Sequence, residues 1–289
     1  MKIALSTESS SDLPKNLKEE YGVHVIPFTV VKGEEMIKDG DEPLESLYSF
    51  VEEKKILPRT TAVNIEEFKE HFSNLLKEYD VVIHVSMSHA CSSAYENALA
   101  ASKDFDGKVY VIDSLVFHTG QALLVLYAAS LISEGLSPEE IVESLKERAG
   151  HISTTATLET VNYLYKGGRC NALAMIGANI LGIRPMVELR EGEIKLAKKF
   201  IGTRKMWTNA YINFVLNRIE KGGADKTVVF VSSTTDMPEA TETAIRKLKE
   251  AGFENVLTSK AGATIGTHTG PGTFSIEYFC DGPHAWSIL

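Results

Sequence analysis

Hydroxyl side chains crowd four short segments in the first half of this chain. They are Ser6-Thr7-Glu8-Ser9-Ser10-Ser11, Thr60-Thr61, Ser86-Met87-Ser88-His89-Ala90-Cys91-Ser92-Ser93, and Asp113-Ser114 running on to His118-Thr119. Hydroxyls, with the backbone N–H groups at a helix start, hold an anion without needing a full positive charge. A single Ser or Thr in each segment would serve equally well to cap the helix that follows. The excess beyond one per segment points to a pocket for a small anion, and phosphate and carboxylate suit such a rim alike.

A nucleophilic serine needs a histidine base held by an acid. His89 lies close to Ser92, and Asp113 follows in the next segment. No G-x-S-x-G elbow, no G-x-x-x-x-G-K-[ST] phosphate loop and no G-x-G-x-x-G after the first apolar run accompanies them. A solvent-facing or packing histidine is the plainer role for His89. The second half adds two glycine-rich segments, Lys166-Gly167-Gly168-Arg169 and Gly266-Thr267-His268-Thr269-Gly270-Pro271-Gly272. The density of glycine and proline in the latter predicts a fixed, non-helical loop with His268 as a carboxylate donor at its middle.

The elements that position these segments follow from periodicity. Lys2–Leu5, Val23–Val31, Asp80–Val85 and Val109–Ile112 read as strands. Helical patterns follow from Pro14, over Leu44–Glu53, from Asn64 to about Lys77, over Ala94–Ser102 and over Gly120–Ile132. Asn64 with Glu67, and Ser137-Pro138-Glu139-Glu140, carry helix-start chemistry. Strands alternating with helices predict a parallel sheet with helices on both faces, its ligand loops at the carboxyl ends of the strands. After residue 150 the texture changes. Ile152–Thr157 reads as a strand, Leu158–Tyr165 and Ala172–Leu181 as helices, and Pro185–Leu189 with Glu193–Lys198 as a hairpin joined at Glu191-Gly192. Helices over Lys205–Lys221 and Pro238–Ala251 and strands at Thr227–Ser232, Val256–Ser259 and Phe274–Phe279 follow. The expected fold is α/β: a parallel-sheet domain over 1–150 and a mixed α+β domain over 151–289.

The 289 residues are 44% hydrophobic and 24% charged, a globular mix able to bury a sizeable core. A net charge of −9 repels nucleic-acid backbones, so no nucleic-acid partner is expected. Cys91, Cys170 and Cys280 are far apart, which predicts no metal site and fits a reducing compartment. The first residues show no basic region ahead of a long apolar one, so no signal peptide is expected. Ser114–Ser133 and Cys170–Ile183 carry no formal charge. Both read as buried helices, the second too short to span a bilayer. The expectation is a soluble, cytoplasmic protein.

Taken in order, these segments resemble the DegV family of bacterial fatty-acid-binding proteins, the subunits that supply a fatty acid kinase. The resemblance runs through Ile3–Asp12, Pro58-Arg59-Thr60-Thr61, Ser88-His89-Ala90-Cys91-Ser92-Ser93-Ala94-Tyr95 and Asp113-Ser114. It continues in Tyr163-Leu164-Tyr165-Lys166-Gly167-Gly168-Arg169, Leu181-Gly182-Ile183-Arg184-Pro185 and Gly266–Gly272. It implies that Thr60 and Ser92 hold a fatty-acid carboxylate, with Thr61 and Ser93 beside them and His268 next to the head group. Arg169 matches the family's motif arginine; Arg169, Arg204 and Lys205 are candidates for contact with a partner, a phosphate or the head group.

The resemblance further implies a carrier rather than an enzyme, with no metal or cofactor. The ligand would be of palmitate, stearate or oleate type, in an apolar tunnel. The partner would be a fatty acid kinase catalytic subunit forming an acyl phosphate for phospholipid synthesis, with transient contact at a membrane surface. The chain departs from the family's pattern at His89, Thr61, Ala62-Val63, Ser93-Ala94 and His118, which implies a reshaped head-group pocket. Two alternatives stand beside this reading. One is an enzyme acting on a carboxylated or phosphorylated small molecule with His89 or His268 as acid–base; the other is a regulatory module for another small anion.

Overall fold

The computed structural model describes residues 1–169 and 182–288. The first half runs β1 (Ile3–Glu8), α1 (Lys15–Glu20), β2 (His24–Ile26), β3 (Thr29–Lys32), β4 (Glu35–Lys38), α2 (Leu44–Lys54) and β5 (Arg59–Thr61). It continues with α3 (Ile65–Leu75), β6 (Val81–Ser86), α4 (Ala94–Ser102), β7 (Val109–Asp113), α5 (Thr119–Ser133) and α6 (Pro138–Ala149). The second half begins β8 (Ile152–Thr157), α7 (Asn162–Lys166), β9 (Ile183–Arg190), β10 (Glu193–Ile201) and α8 (Arg204–Lys221). It closes with β11 (Val228–Ser233), α9 (Pro238–Glu250), β12 (Asn255–Lys260), α10 (Ala263–Thr269) and β13 (Phe274–Phe279).

The strands form three sheets. A parallel sheet has the order β2-β1-β6-β7. Successive residues on each strand face opposite sides, and both sides are covered. Ala4, Val82 and Val111 pack with Phe68 and Phe72 of α3 and Ala98 of α4. Leu5, Ile83 and Ile112 pack with Leu123 and Leu124 of α5 and Leu145 of α6.

A mixed sheet, β10-β9-β8-β13-β11-β12, is antiparallel except for the β11–β12 pair. Trp207 and Tyr211 of α8 and Leu248 of α9 cover one face of it. The other face shares α5 with the parallel sheet, since Val228, Phe230 and Phe279 join the same core as Leu123. A helix buried between two sheets must be apolar all round, which explains the uncharged run Ser114–Ser133. Among the described residues no helix is long and apolar enough to cross a membrane. The Ala172–Leu181 helix expected from the sequence lies outside the described residues.

Three expectations are corrected. Val23–Val31 is not one strand. Pro27 has no N–H to give a ladder, and the chain divides there, β2 joining the parallel sheet and β3 leaving for a small antiparallel sheet, β4-β3-β5. That small sheet also converts Thr60-Thr61 from a loop into strand β5. Leu158–Tyr165 is helical only from Asn162; Leu158 instead donates its N–H to the Pro185 carbonyl at 2.9 Å. Finally, Gly266–Thr269 is helical, the end of α10, and the chain turns out only at Gly270, with φ 77°. Gly266 is tolerated in the helix because the space of its missing side chain is taken: a Cβ there would lie 2.3 Å from a Leu44 methyl carbon.

Candidate functional site

The antiparallel register sets Thr60 opposite Val30. Val30 in turn packs with Ala263 and Ile265 of α10. This brings β5 alongside α10, and Thr60 Oγ1 meets His268 Nε2 at 2.7 Å across 208 residues of sequence. His268 is pressed against the 167–168 turn. Its Nδ1 is buried without a hydrogen-bond partner. Burial, and secondarily the Arg169 charge, push its imidazole down to about 4. At neutral pH it is therefore uncharged, a directional hydrogen-bonding group rather than a cation.

Thr60, Thr61, Ser92, Ser93, His268 and Arg169 line one cavity of about 300 Å³. Its remaining wall is chiefly apolar, including Phe28, Met87, Phe117, Leu164, Ile194 and Ile265. Phe117, Leu164, Ile194, Ile265 and Thr269 also bound a smaller inner chamber. Thr61, Ser93 and Arg169 are exposed, which places the outer end of the cavity at the surface. The loop that carries Ser92 is anchored across the two halves: Ser88 Oγ donates to the Gly192 carbonyl at 2.7 Å, and the Ser88 N–H to the Val116 carbonyl at 2.7 Å. Ser92 Oγ accepts the Ala94 N–H at 3.2 Å. Its own hydroxyl hydrogen remains available to an acceptor in the cavity.

The four hydroxyl segments do not converge on one rim. Only the Thr60 and Ser92 segments reach the cavity with hydroxyls. In the first segment, Ser6 Oγ binds His71 Nε2 at 2.8 Å and His84 Nδ1 at 3.0 Å, and Ser10 donates to Gln121 at 3.0 Å. Glu8 is fully buried there; its burial favours the neutral form, but His84 and the hydrogen bonds of Ser86 and Gln121 outweigh this and hold the carboxyl below its usual range. In the fourth, Ser114 closes on the Val116 carbonyl at 3.0 Å, and His118 Nδ1 meets Asp12 Oδ2 at 2.5 Å. That segment contributes Phe117 to the cavity wall instead.

His89 and Asp113 do pair, Nδ1 to Oδ2 at 2.5 Å, at a largely exposed position. Neither lines the cavity. Arg204 lies elsewhere, at the start of α8, paired with Glu159 at 2.5 Å, and Lys205 faces Glu239 at 3.5 Å. Among the described residues no cluster of three or more His, Cys, Asp or Glu side chains is placed to hold a metal ion.

Sequence reasoning missed Thr264. It lines the cavity, and its Oγ1 is buried without a partner. The signal was present: Thr264 and His268 are spaced i, i+4, which puts them on one face of a helix. Reading the segment as a loop concealed it.

The fold and site together define an α/β protein with an amphipathic cavity, polar and hydroxylated at its mouth and apolar within. Such a cavity suits a ligand with an acidic or polar head and a hydrocarbon body. The DegV family model matches residues 2–281, and the chain belongs to that family. A DegV domain-containing protein of Caldanaerobacter subterraneus is 33% identical over 276 residues, covering 93% of this chain and 96% of that one. The fatty acid-binding protein of Thermotoga maritima is 30% identical over 286 residues, covering 96% and 98% respectively. Among solved structures, a fatty-acid-binding DegV family protein of Thermus thermophilus superposes with a TM-score of 0.89 at 26% identity, covering 97% of this chain and all of the other. DegV of Bacillus subtilis, a fatty acid binding protein, gives 0.82 at 28% identity, covering 96% and 99%.

Proposed function

We propose that this chain binds a long-chain fatty acid, of palmitate, stearate or oleate type, and carries it without turning it over. The carboxylate sits at Thr60, Ser92 and His268, with Thr61 and Ser93 at the lip, and the hydrocarbon enters the apolar cavity. The observation that carries this reading is the Thr60 Oγ1–His268 Nε2 contact of 2.7 Å at the head of that cavity. If the neutral imidazole donates from Nε2 to Thr60, the threonine hydroxyl is free to donate onward to a carboxylate. Binding relatives at 30% identity support the same ligand class.

The energetics agree. Burying about fifteen methylenes at roughly 0.8 kcal/mol each contributes about 12 kcal/mol before association costs. The chain thus supplies most of the affinity, and the hydroxyls orient the head group. Neutral donors hold a carboxylate less tightly than a bidentate arginine would, which suits a carrier that must release its cargo.

In the same reading the head group, near the surface, is presented to a partner fatty acid kinase, which converts it to an acyl phosphate for phospholipid synthesis in the cytoplasm, with transient contact at a membrane surface. Arg169, exposed at the cavity mouth, is positioned to meet the partner or the new phosphate; Arg204, away from the mouth, would serve only a partner contact. The division at residue 150 belongs to this reading too. The parallel sheet draws its strands from before that point and the mixed sheet from after it, and the ligand lies where they meet.

Native mass spectrometry of the purified protein tests the proposal. A bound C14–C18 fatty acid, or uptake of added oleate or palmitate, is expected. A protein that neither retains nor takes up these acids would overturn it. The double variant Thr60→Ala, Ser92→Ala is expected to bind less acid with its circular dichroism unchanged.

A further inference from the structure

A polar patch is buried where hydrocarbon walls dominate. Thr154 of β8 and Glu277 of β13 stand directly opposite in the antiparallel register, 4% and 1% exposed. Both line the inner chamber, as does His118 from the turn before α5. Polar groups on a buried sheet face cost stability unless they find hydrogen-bond partners.

The partners are only partly supplied. Glu277 Oε2 accepts the Thr119 hydroxyl at 2.6 Å. Burial pushes the Glu277 carboxyl up, against the pull of His118 and the hydroxyls of Thr119 and Ser275. His118 gives Nδ1 to Asp12, while its Nε2 has no hydrogen-bond partner among the described residues. Thr154 Oγ1 has none either.

Two further features keep this patch in place. His118 has φ 59° and ψ −148°, a backbone region that is nearly exclusive to glycine and is held only when its surroundings impose it. Gly120 leaves Thr154 its room, since a Cβ there would stand within 2.4 Å of Thr154 Oγ1. The chamber itself is about 30 Å³, the space of roughly two waters or a small polar substituent.

From these observations we infer that the inner chamber is a subsite for a hydroxyl on the hydrocarbon portion of the ligand, so that hydroxylated long-chain fatty acids are the preferred class. The inference rests on the fatty-acid reading above. A hydroxyl both donates and accepts. With its Nδ1–H given to Asp12, His118 presents Nε2 as an acceptor, and the Thr154 hydroxyl serves in either sense. A second carboxylate would face Glu277 and Asp12 and be repelled. A keto oxygen accepts only, and would leave His118 Nε2 unmatched.

Competition binding tests this, using plain stearate and palmitate against positional isomers hydroxylated from mid-chain to the terminal carbon. At least one isomer is expected to bind about tenfold more tightly than its parent acid. Thr154→Val, near-isosteric and lacking the unpaired hydroxyl, is expected to erase that advantage while keeping the affinity for stearate and the melting temperature. Thr154→Ser is expected to keep the advantage. Equal binding of every isomer and its parent, or a preference that survives in Thr154→Val, would overturn the subsite while leaving the carrier reading intact. Failure of all the acids to bind would overturn both.

Discussion

Gly167 and His268 compete for one space: a Cβ on Gly167 would lie 2.7 Å from His268 Nδ1 and 2.9 Å from the Tyr163 carbonyl oxygen. Gly167 has φ −73°, a conformation open to any residue, so glycine is required there for room and not for backbone freedom. The imidazole that meets Thr60 is thus seated against bare backbone. Gly167→Ala is expected to displace His268 and weaken fatty-acid binding about tenfold by fluorescent-ligand competition. In a His268→Ala background the same change should add little, because coupled residues are not additive.

Thr60 is expected to act through its hydroxyl. Thr60→Ala removes a donor to a charged acceptor, an interaction of about 1.5–3 kcal/mol, so affinity should fall roughly ten- to a hundredfold. Thr60→Ser should stay close to the starting affinity. Isothermal titration calorimetry with oleate distinguishes the two; equal losses in both would show that the methyl group, not the hydroxyl, matters.

Two histidines make stability depend on pH. His268 is held down to about 4. His71 is held down to about 3, by burial first and then by His84 and His24. Both folded values lie below the unfolded value of about 6.5. As pH falls through 6.5, the unfolded chain takes up protons that the folded chain refuses, so stability falls with falling pH until the folded values are reached. Between pH 6.5 and pH 5 each group should withdraw about 2 kcal/mol. Urea midpoints across that range check the slope, which His71→Gln should reduce.

Arg148 is a structural counterpart to the site. It is 2% exposed, pairs with Asp225 and Asp281, and lies 3.8 Å above the Phe279 ring and 4.4 Å from the Tyr127 ring. Arg148→Ala leaves two carboxylates without their cation and should cost about 3–5 kcal/mol. Chemical denaturation reads the loss; the affinity of the folded fraction for fatty acid should not move.

The features legible in the sequence were those settled by near neighbours. The capping boxes of Asn64 with Glu67 and of Ser137 with Glu140 form as their spacing predicts, because both partners lie within three residues. The β9–β10 hairpin turns at Glu191-Gly192, where both residues have positive φ, because a tight turn is also local. The all-apolar run of α5 declared a helix with no solvent face.

What only the tertiary structure decided was pairing across distance. Periodicity says nothing of which strand lies beside which, so the three-stranded sheet that carries Thr60 to α10 was not visible. The helical state of Gly266–Thr269 depends on Leu44, more than two hundred residues earlier, filling the place of a missing side chain. Composition likewise treated the four hydroxyl segments as equivalent. Packing then separated them: Ser6 and Ser10 turn to His71, His84 and Gln121 in the interior, while Thr60 and Ser92 line the cavity. A hydroxyl's chemistry is written in its residue type, but whether its hydrogen bond is already taken is decided by neighbours that only the folded chain supplies.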